Sequence, residues 1–258
     1  MHGTWLAFGG PYSNIHALDA LFAEAALLGI PPARMICTGD VVAYAADPVA
    51  VTERMMAAGI PTIMGNCEES LGAEAQDCGC GFAEGTACEL PARGWYAHAS
   101  RSLGARHRAW MAGLPRRLVV EIGGRRLAVL HGAAGSINRF LFASDAPAVF
   151  ADEIAATGCE GVIAGHCGLP FTRIIGGALW HNAVAIGMPA NDGTPRAWFS
   201  LMTPDAGALR IDPRALSYDH AGAADAMRAA RLAEGYATAL ESGLALSPAP
   251  VVWPSTRA

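Results

Sequence analysis

Four short apolar runs in this chain break off at a glycine and a polar side chain. Met35-Ile36-Cys37 leads into Thr38-Gly39-Asp40, and Thr62-Ile63-Met64 leads into Gly65-Asn66. The run ending at Leu130 leads into His131-Gly132, and Val162-Ile163-Ala164 leads into Gly165-His166. Apolar runs this short, bounded by turn residues, read as strands. Each polar group therefore stands at the carboxyl end of a strand, where open α/β sheets bind their ligands. Few folds can use that pattern four times over.

The segments between the runs supply the helices. Trp5 to Phe8 is a first strand, ended by Gly9-Gly10-Pro11, and Asn14 is placed to cap a helix carrying Ala17, Leu18, Leu21, Phe22, Ala25 and Leu28 at helical spacing. A second helix is expected from about Pro48 to Ala58, followed by a third strand over 62–64. Strand–helix–strand repetition of this kind gives parallel pairing with crossover helices. The aperiodic Gly- and Cys-bearing stretch 77–94 reads as a loop, and a helix is expected around Arg101 to Met111. Further on, Gly123-Gly124 and Gly176-Gly177 each sit between apolar arms, which is a hairpin signature. A helix from Ala146 to Ala156 and a strand from Val162 to Ala164 lie between the hairpins, and the Ala-rich stretch 221–240 reads as helical. The expectation is one α/β domain over 1–258, with mixed sheets flanked by helices, a core over about 5–211 and a C-terminal helical extension over about 218–245.

Of the 258 residues, 52% are hydrophobic and 16% charged, the balance of a chain with a buried core and not of a disordered one. A net charge of -5 argues against a general nucleic-acid binder, which needs a basic face. It leaves room for a small phosphorylated partner, because a metal ion supplies positive charge locally. No apolar stretch is long enough to span a membrane, and the first residues lack the basic start and cleavage pattern of a secretory signal. The odd count of 7 cysteines fits a reducing compartment, so a cytoplasmic location is expected.

A carboxylate (Asp40), an amide oxygen (Asn66) and two imidazoles (His131, His166) suit Zn, Mn or Fe better than Ca or Mg. Singly, each has a plainer reading: a cap for Asp40, a turn for Asn66, hydrogen-bonded structure for the histidines. The shared strand-then-glycine context is what joins them. Cys78, Cys80 and Cys88 form a second candidate cluster, for a soft metal or a redox pair, although their spacing is not that of a zinc ribbon and free thiols in a tight turn would look the same.

In order and spacing these pieces resemble the calcineurin-like metallophosphoesterases over roughly 5–203. That family carries Asp-x-His, Gly-Asp, Gly-Asn-His-Asp/Glu, a His after a strand and Gly-His-x-His. Here stand Gly39-Asp40, Gly65-Asn66-Cys67-Glu68, His131-Gly132 and Gly165-His166-Cys167-Gly168. The Asp-x-His position reads Gly10-Pro11-Tyr12, and the last His is Gly168. All three lost groups serve one metal in the family. The resemblance therefore implies one remaining divalent ion, held by Asp40, Asn66, His131 and His166, and a phosphatase or phosphodiesterase acting on a small phosphorylated molecule. It also implies slower chemistry than two ions would give, with Cys67 and Tyr12 as candidate catalytic groups beside the ion. The alternatives are a weakly active or inactive binding or regulatory protein on the same scaffold, or another metal-dependent reaction at a site rebuilt with cysteines.

Overall fold

The computed structural model describes residues 3–79 and 89–244. The first half contains β1 (Trp5–Phe8), α1 (Ile15–Leu27), β2 (Met35–Cys37), α2 (Pro48–Ala58), α3 (Asn66–Gly72), α4 (Glu89–Ser102) and α5 (Ala105–Ala112). There follow β3 (Leu118–Ile122), β4 (Arg125–Val129), α6 (Pro147–Thr157), β5 (Gly161–Ala164), β6 (Phe171–Ile175) and β7 (Ala178–Asn182). The chain continues through β8 (Ala197–Asp205), β9 (Ala208–Leu216), α7 (His220–Ala229) and α8 (Glu234–Ser242). One sheet runs β2-β1-β8-β9 and the other β3-β4-β5-β7-β6.

Alternate residues along a strand face opposite ways, and that alternation builds the layers. Ala7 of β1, Ile36 of β2, Leu127 and Val129 of β4 and Ile163 of β5 meet in a core between the two sheets. Their neighbours turn outward: Leu6, Phe8, Met35 and Cys37 pack with Leu18, Leu21, Val51 and Met55 of α1 and α2. On the far side, Ala128, Val162 and Trp180 pack with Phe150 and Ile154 of α6. The result is helix, sheet, sheet, helix. β1 and β2 are parallel, and so are β4, β5 and β7, so their carboxyl ends reach shared edges of the sandwich. The sheets join there: the amide of Gly9, just past β1, donates to Val184 O at 2.7 Å, just past β7.

Several expectations are redrawn. Residues 62–64 do not form a strand. Thr62 makes one isolated bridge to Cys37, after which Met64 N turns away to donate to Pro115 O at 2.9 Å. The helix expected from Arg101 to Met111 is two helices, broken at Leu103-Gly104, where Gly104 N donates to His107 Nδ1 at 3.1 Å. α4 begins at Glu89, inside the stretch read as loop. The C-terminal helix is also two, separated at Arg231, which takes a left-handed φ of 57°. The long β8–β9 hairpin was not anticipated. α1, α2, α6 and both Gly-Gly hairpins lie where expected, with Asn14 Oδ1 accepting from Ala17 N at 3.1 Å. Among the described residues no helix is long and apolar enough to cross a membrane.

Candidate metal centre

Two loops interlock at the end of β2. Gly39 has φ 93°, and a Cβ there would lie 2.6 Å from Gly65 N. A Cβ on Gly65 would in turn lie 2.2 Å from Asp40 Oδ1, so both glycines are needed for one loop to nest against the other. The glycines therefore serve loop-to-loop approach. Asp40 is held at φ 55° and His166 at φ 64°, backbone conformations that non-glycine residues avoid and that cluster at functional sites. Asn66, expected in a turn after a strand, is the first residue of α3, with Gly65 as its N-cap.

Glu68, on the same helix, fastens the nest. Its Oε2 accepts from Asp40 N at 2.7 Å and Gly65 N at 3.0 Å, and its Oε1 accepts from Val42 N at 3.2 Å. It is fully buried. Burial first, and the Asp40 carboxylate second, push its carboxyl up to about 7. The sequence displays Glu68 in its motif but not this role, because the three amides it accepts are backbone groups.

Four side chains converge on one point. Asp40 Oδ2 lies 3.2 Å from His131 Nε2, Asn66 Oδ1 lies 3.1 Å from that same nitrogen, and His166 Nδ1 lies 3.2 Å from it. The ligand atoms of Asp40, His131 and His166 all lie within 4.8 Å of one another. What faces the point is fixed from behind. Thr38 O accepts from His131 Nδ1 at 2.6 Å and Asn138 O accepts from His166 Nε2 at 2.9 Å. A carbonyl only accepts, so these ring nitrogens carry the protons, and in the neutral rings Nε2 of His131 and Nδ1 of His166 present lone pairs. Cys78 O accepts from Asn66 Nδ2 at 3.0 Å, which turns Oδ1 inward. With both rings neutral, a carboxylate, an amide oxygen and two imidazole lone pairs meet. Burial lowers the His131 pKa, but Asp40 outweighs it and the net shift is upward, so without an ion a proton on Nε2 facing Asp40 is favoured in its place. That donor set fits a divalent transition ion, with each histidine oriented from its far side by a carbonyl. Burial alone would raise the Asp40 carboxyl, but the nearby His131 outweighs it and the net shift is downward. Burial and His131 together lower His166 to about 4. Behind His166, the Phe140 ring stacks at 4.1 Å.

The remaining candidates lie around this point in different ways. The buried Tyr12, at φ 51°, folds its ring over Gly10: a Cβ on Gly10 would lie 2.2 Å from Tyr12 Cε1. A Cβ on Gly168 would lie 4.0 Å from the Tyr12 hydroxyl. The phenol, itself at one of the three positions where the resemblance lacks ligands, thus lies between the other two, Gly10 and Gly168. Burial and then Asp40 raise its pKa well above 10, so it stays protonated. Cys67 is buried, its amide donates to Asp40 Oδ1 at 3.2 Å, and its thiol is raised by burial and then by Asp40, which makes it a neutral thiol and not a thiolate. Cys167 receives a hydrogen bond from Asn182 Nδ2 at 3.2 Å. Cys78 is disulfide-bonded, and Cys80 and Cys88 lie outside the described residues.

No family model matches the chain. No curated protein matches its sequence. Solved structures do. A metallophosphoesterase from Sphaerobacter thermophilus superposes with a TM-score of 0.72 at 22% identity, covering 93% of this chain and 99% of that one. A hypothetical protein from Pyrococcus horikoshii superposes with a TM-score of 0.79 at 16% identity, over 94% of this chain and 99% of its own. At such identities the likeness shows the fold, and the fold is that of the calcineurin-like metallophosphoesterases.

Proposed function

We propose that the protein is a metal-dependent phosphoesterase, a phosphatase or phosphodiesterase, that hydrolyses a small phosphorylated substrate at a single-metal centre of Asp40, Asn66, His131 and His166. The observation that carries this reading is the pair of carbonyls, Thr38 O and Asn138 O, which leave two imidazole lone pairs 3.2 Å apart beside a carboxylate. Without an ion, Asp40 favours a proton on His131 at the point where the four groups meet, and a divalent ion would displace that proton and engage all four at once. When bound, a divalent ion would polarise a phosphoryl oxygen and make a water more acidic.

The chain's own groups set the rest. Asp40 would supply the anionic oxygen, Asn66 a neutral one, and the two histidines the ring nitrogens that their carbonyl partners leave facing the point. The buried, protonated Tyr12 phenol stands on the side where the resemblance lacks ligands, and supports a reading in which it donates a hydrogen bond to the substrate phosphate. Cys67, a protonated thiol whose own amide holds Asp40, is a proton donor in this scheme and not a nucleophile. A hydrogen-bond donor is weaker than a second cation. The reaction is therefore slower than at a two-metal clamp, by a few powers of ten if the missing charge stabilisation is worth several kcal/mol.

The test is hydrolysis of p-nitrophenyl phosphate and bis-p-nitrophenyl phosphate by protein with about one ion of Zn, Mn or Fe bound per chain. Turnover of either substrate that disappears in Asp40→Ala and His166→Ala, together with the ion, is expected. An ion bound at this centre and no turnover of either would sink the hydrolase reading in favour of a binding protein on this scaffold.

A further inference from the structure

A cavity of about 140 Å³ on the α6 side of β4 borders His131, the one residue of the metal centre in its lining. Its other walls include Arg116, Arg117, Gly135, Ser136 and Ile137. The sheet explains why the arginines are there. β3 and β4 are antiparallel with Leu118 opposite Val129, so the two residues before β3 fall beside Leu130 and His131, at the edge where β4 delivers its histidine. The hairpin thus brings the backbone of two arginines alongside that of a ligand, and the Arg117 side chain runs from there to the end of α6.

The charges around the cavity are unequal. Arg116 is paired with Glu69 of α3. Glu153 of α6 is used elsewhere, with Oε2 accepting from Ala134 N at 2.7 Å and Oε1 from Arg139 Nη1 at 2.7 Å. Arg117 donates to Thr157 O at the end of α6 and lies 3.4 Å from Cys159 Sγ, so no carboxylate neutralises it among the described residues. A guanidinium has five donors in a planar fork that matches a phosphate or carboxylate, and both of these contacts use a single Nη.

We infer that this cavity seats a second anionic group of the substrate, so that the natural substrate is a phosphoester carrying a further phosphate or carboxylate. The inference rests on the metal-centre reading above. In this arrangement Arg117 is the specificity residue, and Arg116 supports it from the Glu69 side. Neither arginine has a role in orienting the metal ligands.

The test uses two probes that differ only in the second anion: methyl phosphate and phosphoglycolate. Each is titrated calorimetrically into metal-loaded protein. Phosphoglycolate is expected to bind roughly tenfold more tightly, the scale of one charge-assisted hydrogen bond. In Arg117→Leu that preference falls to about twofold or less while methyl phosphate affinity is unchanged. Arg117 also caps α6, so Arg116→Leu, an exposed position with no helix to cap, and Arg117→Lys, which keeps charge without the fork, are measured beside it, and both are expected to narrow the preference. Methyl phosphate binding with no preference for phosphoglycolate overturns the subsite alone, as does a preference that survives all three variants. If neither probe binds the metal-loaded protein, the metal-centre reading falls and takes the subsite with it.

Discussion

At the scale of single residues, orientation matters more than identity. His131 and His166 present opposite ring nitrogens to one point because Thr38 O and Asn138 O stand behind them on opposite nitrogens. A third histidine shows the contrast. His181 of β7 is buried between the sheets, with Nδ1 2.9 Å from Thr172 Oγ1 and Nε2 3.0 Å from Ser200 Oγ of β8. Hydroxyls can donate or accept, so the neutral ring is satisfied without an ion. Burial lowers His181 to about 4. Its folded pKa lies below the unfolded value of about 6.5, so its contribution to stability is complete above pH 6.5 and is withdrawn as pH falls towards 4, to a total of about 3 kcal/mol. Urea unfolding at pH 7 and pH 5 should show a loss that shrinks by about 2 kcal/mol in His181→Gln. An equal loss in both proteins would place the acid sensitivity elsewhere.

At the scale of elements, α3 is the link between scaffold and site, since one short helix carries Asn66, Cys67 and the clamp Glu68. Replacing Glu68 by alanine strips three buried amides of their acceptor. At about 1 kcal/mol or more for each, the variant should lose roughly 3 kcal/mol and about 10 °C in Tm, and should hold its ion more weakly by direct titration. Unaltered ion affinity in a folded Glu68→Ala protein would show that the Asp40 loop holds its shape without the clamp. α3 also marks how far the sequence can be read. Asp40, Asn66, His131 and His166 were legible because each follows an apolar run with glycine beside it, and the structure brings those four together. The Gly-Gly hairpins were legible from their turn chemistry. α3 was not, because a helix only two turns long has no period to detect. The β8–β9 hairpin was hidden by Pro204 and Pro213, which interrupt its arms, and by the run Pro213 to Ala215, exposed on both faces and so without alternation. The carbonyls that fix the imidazoles leave no trace in any side chain.

At the scale of the whole molecule, the centre lies where the carboxyl ends of strands from both sheets meet, with Asp40 following β2 and the two histidines following β4 and β5. An ion there would tie the sheets together across their edge, so its binding should be visible as global stability. At a free-ion level one hundred times its dissociation constant the gain is about 2.7 kcal/mol. Chelation should therefore lower Tm by roughly 5–10 °C in the parent protein and leave Asp40→Ala unmoved, as read by scanning calorimetry. A chelator-insensitive Tm in a parent shown to release its ion would mean that the ion sits on the fold without bracing it. The phenol folded over Gly10 has a bearing on ancestry. Any side chain at position 10 would overlap the Tyr12 ring, and that ring is braced edge-on against Tyr44 at 4.8 Å. A lineage that reached this arrangement could not return to a larger residue at position 10 by one substitution, because the first step back is a collision whichever side chain is tried. The order of change is therefore fixed: the glycine is locked for as long as the tyrosine stays, and Tyr12 must give way before position 10 can carry a side chain.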